Sequence, residues 1–405
     1  MTPRSNDKLT QEVMEVLFRH GLDGMQPVME TLLNEAMKIE RAQALKAAPY
    51  ERTEQRQGYA NGFKDKTLKS RIGELRIRIP QVRGLSFYPN CIEKGCRSER
   101  ALKVAIAEMY IQGVSTRRVA EITEKLCGME VNSSQVSRIA QMLDQEVERF
   151  RNRALGQYPY LMLDARYEKV RYDGYVRDMS VLVAVGVNSE GRREIIGLSC
   201  SLSEARVHWK EFLSSLLYRG LNGVSYVVSD DHEGLKAARQ EVFPQCHWQR
   251  CQFHFAQNAQ HYAPRKALKQ PIAEAIREIF NCSTINDARV AVEQTVKNFA
   301  KSAPQFASWL EQSAEQCFSV YALPAEHQRF LRTVNLLEHL NKEIRRRTRV
   351  VSIFPNVAAC IRLVGAILAE INEDWMHLKS PYRLNMALLT EVSEPLNQIY
   401  RRKVA

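Results

Sequence analysis

The sequence predicts an α/β protein with a mixed five-stranded sheet at its centre, and three observations predict it. First, "YPYLMLDARYEKVRY" is followed by Asp173-Gly174, "YVRDMSVLVAVGVN", Ser189-Glu190-Gly191 and "RREIIGLSCSL". Asp-Gly between apolar runs is a strong hairpin signal, so three antiparallel strands in a meander are expected. Second, "VSYVVS" is a short unbroken apolar run, the mark of a strand buried on both faces. Third, helical spacing brackets that run, from about Glu204 to Tyr218 before it and over "HEGLKAARQEVF" after it; "CHWQRCQFH" then reads as a fifth strand.

Three antiparallel strands, then helix, strand, helix, strand, is the topology of a ribonuclease-H-like core. The segments before it read differently. In residues 1–95, "VMEVLFRHGLDGMQPVMETLLNEAMKIERAQAL" places apolar residues at helical spacing, broken by Gly21, Gly24 and Pro27. It is followed by a basic, turn-rich β segment, "RQGYANGFKDKTLKSRIGELRIRIPQVRG", in which "LRIRIP" alternates and sets Arg76 and Arg78 on one face, expected to be a solvated edge.

Residues 96–155 read as a helix-turn-helix DNA-binding region. Ser115 or Thr116 can cap a helix running to about Leu126, Gly128 supplies a turn, and Asn132 or Ser133 caps a second helix. The first residues of such a second helix face base edges: Ser133, Ser134, Gln135, Ser137 and Arg138. Arg117 and Arg118 on the first helix are further DNA-contact candidates. The core then occupies residues 156–257. An all-helical insertion spans 258–332, and 333–405 complete the core with a Glu-bearing helix and C-terminal helices.

Composition narrows the partner. The chain has 405 residues and a formal net charge of +12, which favours a polyanion, nucleic acid being the commonest. "MTPRSNDKLT" is polar and reads as no signal peptide, and the best apolar stretch, "VAACIRLVGAILAEI", is broken by Arg362, so no membrane partner is expected. The nine cysteines are odd in number and scattered, which suggests reduced thiols in a cytoplasm.

The chemistry comes from three acidic residues. In a ribonuclease-H-like sheet the first and fourth strands are parallel neighbours, so Asp164 in "LMLDARY" and Asp230 in "VVSDDHEG" can stand side by side. Glu338, in "NLLEHLNKEIRRRTRVV", is the third candidate. Its helix carries Lys342, Arg345 and Arg349 on the same face, with Arg346 and Arg347 flanking them, a set suited to phosphate. Hard Mg²⁺ (or Mn²⁺) takes oxygen ligands, and two ions about 3.5–4 Å apart activate a water or 3′-hydroxyl and stabilise the leaving oxygen of a phosphodiester. Asp231 is assigned to helix capping and Asp230 to metal. Trp209 and Trp248 are expected to pack in the core.

The long segments "RQGYANGFKDKTLKSRIGELRIRIPQVRG", "EMYIQGVSTRRVAEITEKLCG", "YLMLDARYEKVR", "GVNSEGRREIIGL", "VVSDDHEGLKAA", "FPQCHWQRCQFHFAQN" and "LEHLNKEIRRRTRVVSIFPN" resemble mutator-type transposases of bacterial insertion sequences over nearly the whole chain. The resemblance implies an Asp-Asp-Glu transposase, carried here by Asp164, Asp230 and Glu338. It also implies a structural Cys-x-x-His pair between the second and third acidic residues, matched by Cys251 and His254. The implied function is binding of terminal inverted repeats in double-stranded DNA, strand cleavage, and transfer of the 3′-hydroxyl into target DNA. Acting on two ends implies at least a homodimer, in the bacterial cytoplasm at the nucleoid. A metal-dependent nuclease or junction resolvase on the same fold, and a non-catalytic helix-turn-helix regulator, are the competing expectations.

Overall fold

The computed structural model describes residues 4–94, 98–127, 131–377 and 384–389. The chain divides into two compact units, Met1–Met142 and Leu143–Ala405.

In the first unit, helices α1 (Arg4–His20) and α2 (Met25–Leu45) precede an antiparallel pair, β1 (Tyr59–Ser70) and β2 (Gly73–Arg83). Strand β2 alternates as its sequence demands: Leu75, Ile77 and Ile79 are buried with Met37 of α2, while Arg76 and Arg78 are exposed. Its free edge is covered by α2, whose Glu30 and Asn34 side chains each accept a backbone N–H, from Arg76 and Arg78, at 2.7 Å. That satisfies groups that would otherwise invite a further strand. Strand β1 is longer than the turn-rich composition suggested. Eight of its twelve residues are exposed, so backbone pairing with β2 more than burial holds it extended.

Three more helices, α3 (Arg100–Ile111), α4 (Thr116–Cys127) and α5 (Ser133–Ala140), share a small core of Leu102, Ile106, Val119, Val131 and Val136. Ser115 Oγ accepts from the Arg118 N–H at the start of α4. Asn132 caps α5 through a reciprocal capping box with Gln135. The expected turn at Gly128 lies outside the described residues.

The second unit opens with α6 (Asp144–Asn152) and then builds one sheet from β3 (Tyr160–Tyr172), β4 (Tyr175–Val187), β5 (Arg193–Ser201), β6 (Tyr226–Ser229) and β7 (His247–Arg250). The order is β5-β4-β3-β6-β7. The first three strands are antiparallel; β3–β6 and β6–β7 are parallel. Asp173 and Gly174 both have positive φ, 48° and 79°, as a two-residue turn matched to strand twist requires. Helices α7 (Arg206–Tyr218) and α8 (Glu233–Val242) complete the alternating order, and Trp209, Phe212 and Leu235 pack with Leu161, Leu163 and Leu182 in one core. Helix α15 (Val357–His377) packs against β5 and α6. Gly365 lets α6 come close, since a Cβ there would meet Val147 Cγ1 at 2.4 Å.

Strand β7 is shorter than expected. Its parallel partner ends at Ser229, whose carbonyl accepts from the Cys251 N–H, so no ladder continues beyond and the chain turns into α9 (Gln252–Ala259). Helices α10 (Lys266–Phe280), α11 (Ile285–Phe299), α12 (Pro304–Ser313) and α13 (Ala325–Leu331) follow, with no strand among the described residues. They have their own apolar cluster, which includes Ile272, Ile276, Phe306 and Leu310. Helix α14 (Asn335–Thr348) then returns to β3. Among the described residues no helix is long and apolar enough to cross a membrane.

Candidate active site

The register of β3 against β6 positions two aspartates. Tyr160 pairs with Tyr226 and Met162 with Val228, in parallel. Extending that register by two residues on each chain sets Asp164 beside Asp230, just past the end of β6. Glu338 arrives from the first turn of α14, which lies against β3 and buries its Leu337, Leu340 and Ile344. The three carboxylates line one cavity of about 630 Å³, together with Glu204, His254 and Asn341.

His254 stands among the carboxylates. Its Nε2 lies 3.5 Å from Glu338 Oε1 and its Nδ1 3.9 Å from Asp230 Oδ1. Nδ1 is buried without a hydrogen-bond partner. Burial alone favours the neutral imidazole, but the adjacent Cys251 sulfur and the Asp230 and Asp164 carboxylates push the His254 pKa up to about 9. Burial raises the Asp164 carboxyl to about 6; His254 opposes that rise, whereas Asp230 and Glu204 add to it. Among the described residues, no three His, Cys, Asp or Glu side chains are already close enough together to hold a metal ion.

The Cys-x-x-His pair has a geometric reason. Cys251 is fully buried, and its Sγ accepts from the Val334 N–H at 3.4 Å, while the Gln252 N–H donates to the Arg332 carbonyl at 3.0 Å. These bonds tie the start of α9 to the approach of α14. One helical turn later His254 meets Glu338.

Asp231 is not a helix cap. The residue before α8 is His232, with no side-chain cap bond. Asp231 instead pairs with Arg250 at 2.7 Å and with Lys236, and it does not line the cavity. Asp230, adjacent in sequence, does. Trp209 is wholly buried in the core, and Trp248 donates from Nε1 to Ser229 Oγ at 2.9 Å.

The arginine-rich helix divides its residues. Lys342 and Arg345 line the cavity. Arg349 is exposed, and Arg346 is exposed but paired with Glu343 at 3.0 Å. Arg347 is turned inward and binds both oxygens of Glu370, at 2.6 and 3.1 Å. In the first unit, Arg117, Arg118, Ser133, Ser134, Ser137 and Arg138 are exposed. Gln135 is half-buried, its Oε1 accepting from the Asn132 N–H at 3.1 Å.

Sequence reasoning missed Glu204, Asn341 and the central place of His254. Asn341 had a signal: it lies one turn beyond Glu338 on the same helix. Glu204, in the loop after β5, had none.

The family model described as "Transposase, Mutator family" matches residues 2–378. A transposase for insertion sequence element IS406 of Burkholderia multivorans is 49% identical over 362 residues, covering 89% of this chain and 93% of that relative. A transposase for insertion sequence element ISRM5 of Rhizobium meliloti is 42% identical over 377 residues, 93% of this chain and 94% of that relative. A transposase for insertion sequence element IS256 in transposon Tn4001 of Staphylococcus aureus is 36% identical over 381 residues, 92% of this chain and 97% of that relative.

Proposed function

The chain belongs to the mutator family of transposases, and from that premise we propose that it binds the terminal inverted repeats of an insertion sequence, cleaves a DNA strand and joins the freed 3′-hydroxyl to target DNA. The five-stranded sheet is read as a ribonuclease-H-like core, with Asp164, Asp230 and Glu338 as its Asp-Asp-Glu triad. One observation carries this reading. Two aspartates on neighbouring parallel strands, Asp164 within β3 and Asp230 just past the end of β6, and a glutamate from a distant helix face one cavity in a chain of net charge +12.

The carboxylates supply the donor type that divalent cations take, while among the described residues no three such side chains are already drawn together around an ion. Carboxylate oxygens suit hard Mg²⁺ or Mn²⁺, which need few protein ligands because they keep several waters. Asp164, Asp230 and Glu338 would hold them, and His254, whose buried Nδ1 has no hydrogen-bond partner, stands 3.9 Å from Asp230 and 3.5 Å from Glu338. Bound there, such ions would supply activation of a water or 3′-hydroxyl and stabilisation of the leaving oxygen. The chain's own cations then act on the DNA. Lys342 and Arg345 sit on the cavity wall, positioned to hold backbone phosphates near the acids. The exposed residues of α4 and α5, Arg117, Arg118, Ser133, Ser134, Ser137 and Arg138, are assigned to recognition of the repeat. Gln135 is assigned a smaller part because its carboxamide oxygen caps α5. Joining two ends calls for at least two copies of the chain.

The test is metal-dependent cleavage and joining of a labelled duplex carrying the DNA that flanks this reading frame, beside a gel shift of the same duplex. Asp164→Ala, Asp230→Ala and Glu338→Ala are each expected to abolish both reactions and to leave the shift intact. Full activity in any of the three removes that residue from the triad.

A further inference from the structure

Two elements remote in sequence, β3 and α14, are joined by a run of polar contacts, one of which reaches Asp164 itself. On β3, alternate residues Asp164, Arg166 and Glu168 share a face. On α14, Asn341 and Thr348 lie two turns apart and so on one side of the helix. Asn341 Nδ2 donates to Asp164 Oδ2 at 2.8 Å. The Asn341 backbone carbonyl accepts from Arg166 Nη1 at 2.5 Å, and Arg166 Nη2 lies 2.7 Å from Glu168 Oε1. Thr348 Oγ1 donates to the same Glu168 oxygen at 3.1 Å.

We propose that Asn341 is a positioning residue: it fixes the Asp164 carboxylate in the orientation needed to share a divalent cation with Glu338. The inference rests on the Asp-Asp-Glu reading above. A carboxylate on a short side chain rotates freely unless one oxygen is held, and here the holding group comes from the helix that carries Glu338. Asn341 lies one turn after Glu338 on α14, and both line the cavity with Asp164. The amide therefore couples the orientation of one acid to the placement of another. An amide suits the task because it donates without adding negative charge to an already acidic site. The Arg166–Glu168–Thr348 contacts extend the attachment along α14, so the register of helix on strand does not depend on Asn341 alone. Hydrogen-bond partners of metal-binding groups typically change metal affinity by about 10- to 100-fold when removed.

The experiment measures Mn²⁺ binding to the full-length chain by electron paramagnetic resonance, without DNA, and Mn²⁺ titration of strand cleavage on the flanking-DNA duplex. Asn341→Ala removes the donor. Asn341→Ser, which keeps a shorter donor, is held to the same test should the alanine chain fail to fold. Each is expected to shift the Mn²⁺ midpoint upward, by about 10- to 100-fold for alanine, with cleavage recovering toward the unmodified rate at saturating Mn²⁺ and the melting temperature nearly unchanged. A lowered melting temperature with an unmoved Mn²⁺ midpoint, or an unmoved midpoint with full activity, overturns the inference. Asp164→Ala separates it from the reading beneath it. If that variant binds Mn²⁺ and cleaves like the unmodified chain, the triad reading fails; if it loses both while the Asn341 variants lose neither, only the role of Asn341 fails.

Discussion

Arg250 holds Asp231: its Nη1 lies 2.7 Å from Asp231 Oδ2, and the guanidinium is almost wholly buried. Gln316 Oε1 takes a second bond at 3.1 Å, and the ring of Phe255 lies 4.9 Å away. Two adjacent aspartates therefore do different work. Asp231 compensates a buried charge at the end of β7, and Asp230 faces the cavity. Removing one partner of a buried pair leaves the other charge uncompensated, at a cost of about 3–5 kcal/mol. Asp231→Asn is expected to lower unfolding free energy by about 3 kcal/mol, the smaller end because Asp231 is partly exposed. Asp230→Asn is expected to leave stability within about 0.5 kcal/mol while losing cleavage. Denaturant unfolding of both variants decides it, and equal stability of the two would reject the division.

A second prediction concerns where the sheet-bearing unit begins. Helix α6 belongs with the sheet: Val147 is buried, Asp144 pairs with Arg362 through both oxygens at 2.5 and 2.8 Å, and Arg153 Nη2 donates to the Ile195 carbonyl at 2.7 Å. A chain starting at residue 143 is expected to fold with a cooperative transition. One starting at residue 157 loses the Val147 contact and leaves Arg362 without its carboxylate, so it is expected to be less stable by at least about 3 kcal/mol. Thermal melts and limited proteolysis of the two fragments check this; equal melting temperatures would exclude the role given to α6.

Much of this was legible because local pattern and backbone geometry agree. Asp173-Gly174 can take the positive φ values that join β3 to β4, and the unbroken run of β6 is buried throughout. Asp164 and Asp230 followed from strand order alone. What escaped was set by long-range packing. Asn341 meets Asp164 across 177 residues, a separation over which one sequence carries no pairing signal. His254 falls in "CHWQRCQFH", which reads as a fifth strand, yet β6 ends too early to support one that long. Arg347 was legible and was missed. The buried positions Leu337, Leu340 and Ile344 continue at helical spacing to 347, but an arginine reads as polar unless its partner, here Glu370, is known.

The third prediction is a pH dependence. His327 is fully buried; its Nδ1 lies 2.8 Å from the Tyr160 hydroxyl and its Nε2 3.0 Å from the Asn385 carbonyl. Nε2 therefore donates, and Nδ1 accepts from the tyrosine. Burial holds the pKa below its ordinary 6.5. The folded state thus binds the proton less readily than the unfolded chain. The stabilisation is complete above the ordinary pKa and is lost as pH falls through the depressed one. His327→Gln is expected to be less stable at pH 7.5, with the difference from the unmodified chain shrinking below about pH 6. Melting temperatures across that range test it, and a difference that grows on acidification would exclude the neutral tautomer.

The last prediction separates two arginines two residues apart. Arg345 lines the cavity beside Lys342, whereas Arg347 is buried in its bidentate pair with Glu370. Phosphate contacts add affinity without sequence discrimination, and each releases counterions, so losing one makes the slope of log affinity against log salt shallower by roughly one unit. Arg345→Ala is expected to show that change on repeat and random DNA alike, with melting nearly unaltered. Cleavage should fall further than binding, because a phosphate held beside the acids is also oriented for reaction. Arg347→Ala is expected to do the reverse. It takes from Glu370 its bidentate partner and removes packing between α14 and α15, costing about 3 kcal/mol of stability, while the salt slope of the remaining folded protein stays as it was. Fluorescence-anisotropy titrations at several salt concentrations, run beside thermal melts, give both readouts. A shallower slope for Arg347→Ala with unchanged melting would mean that this guanidinium leaves Glu370 for DNA. An unchanged slope for Arg345→Ala would take α14 off the DNA path and leave it only the placement of Glu338.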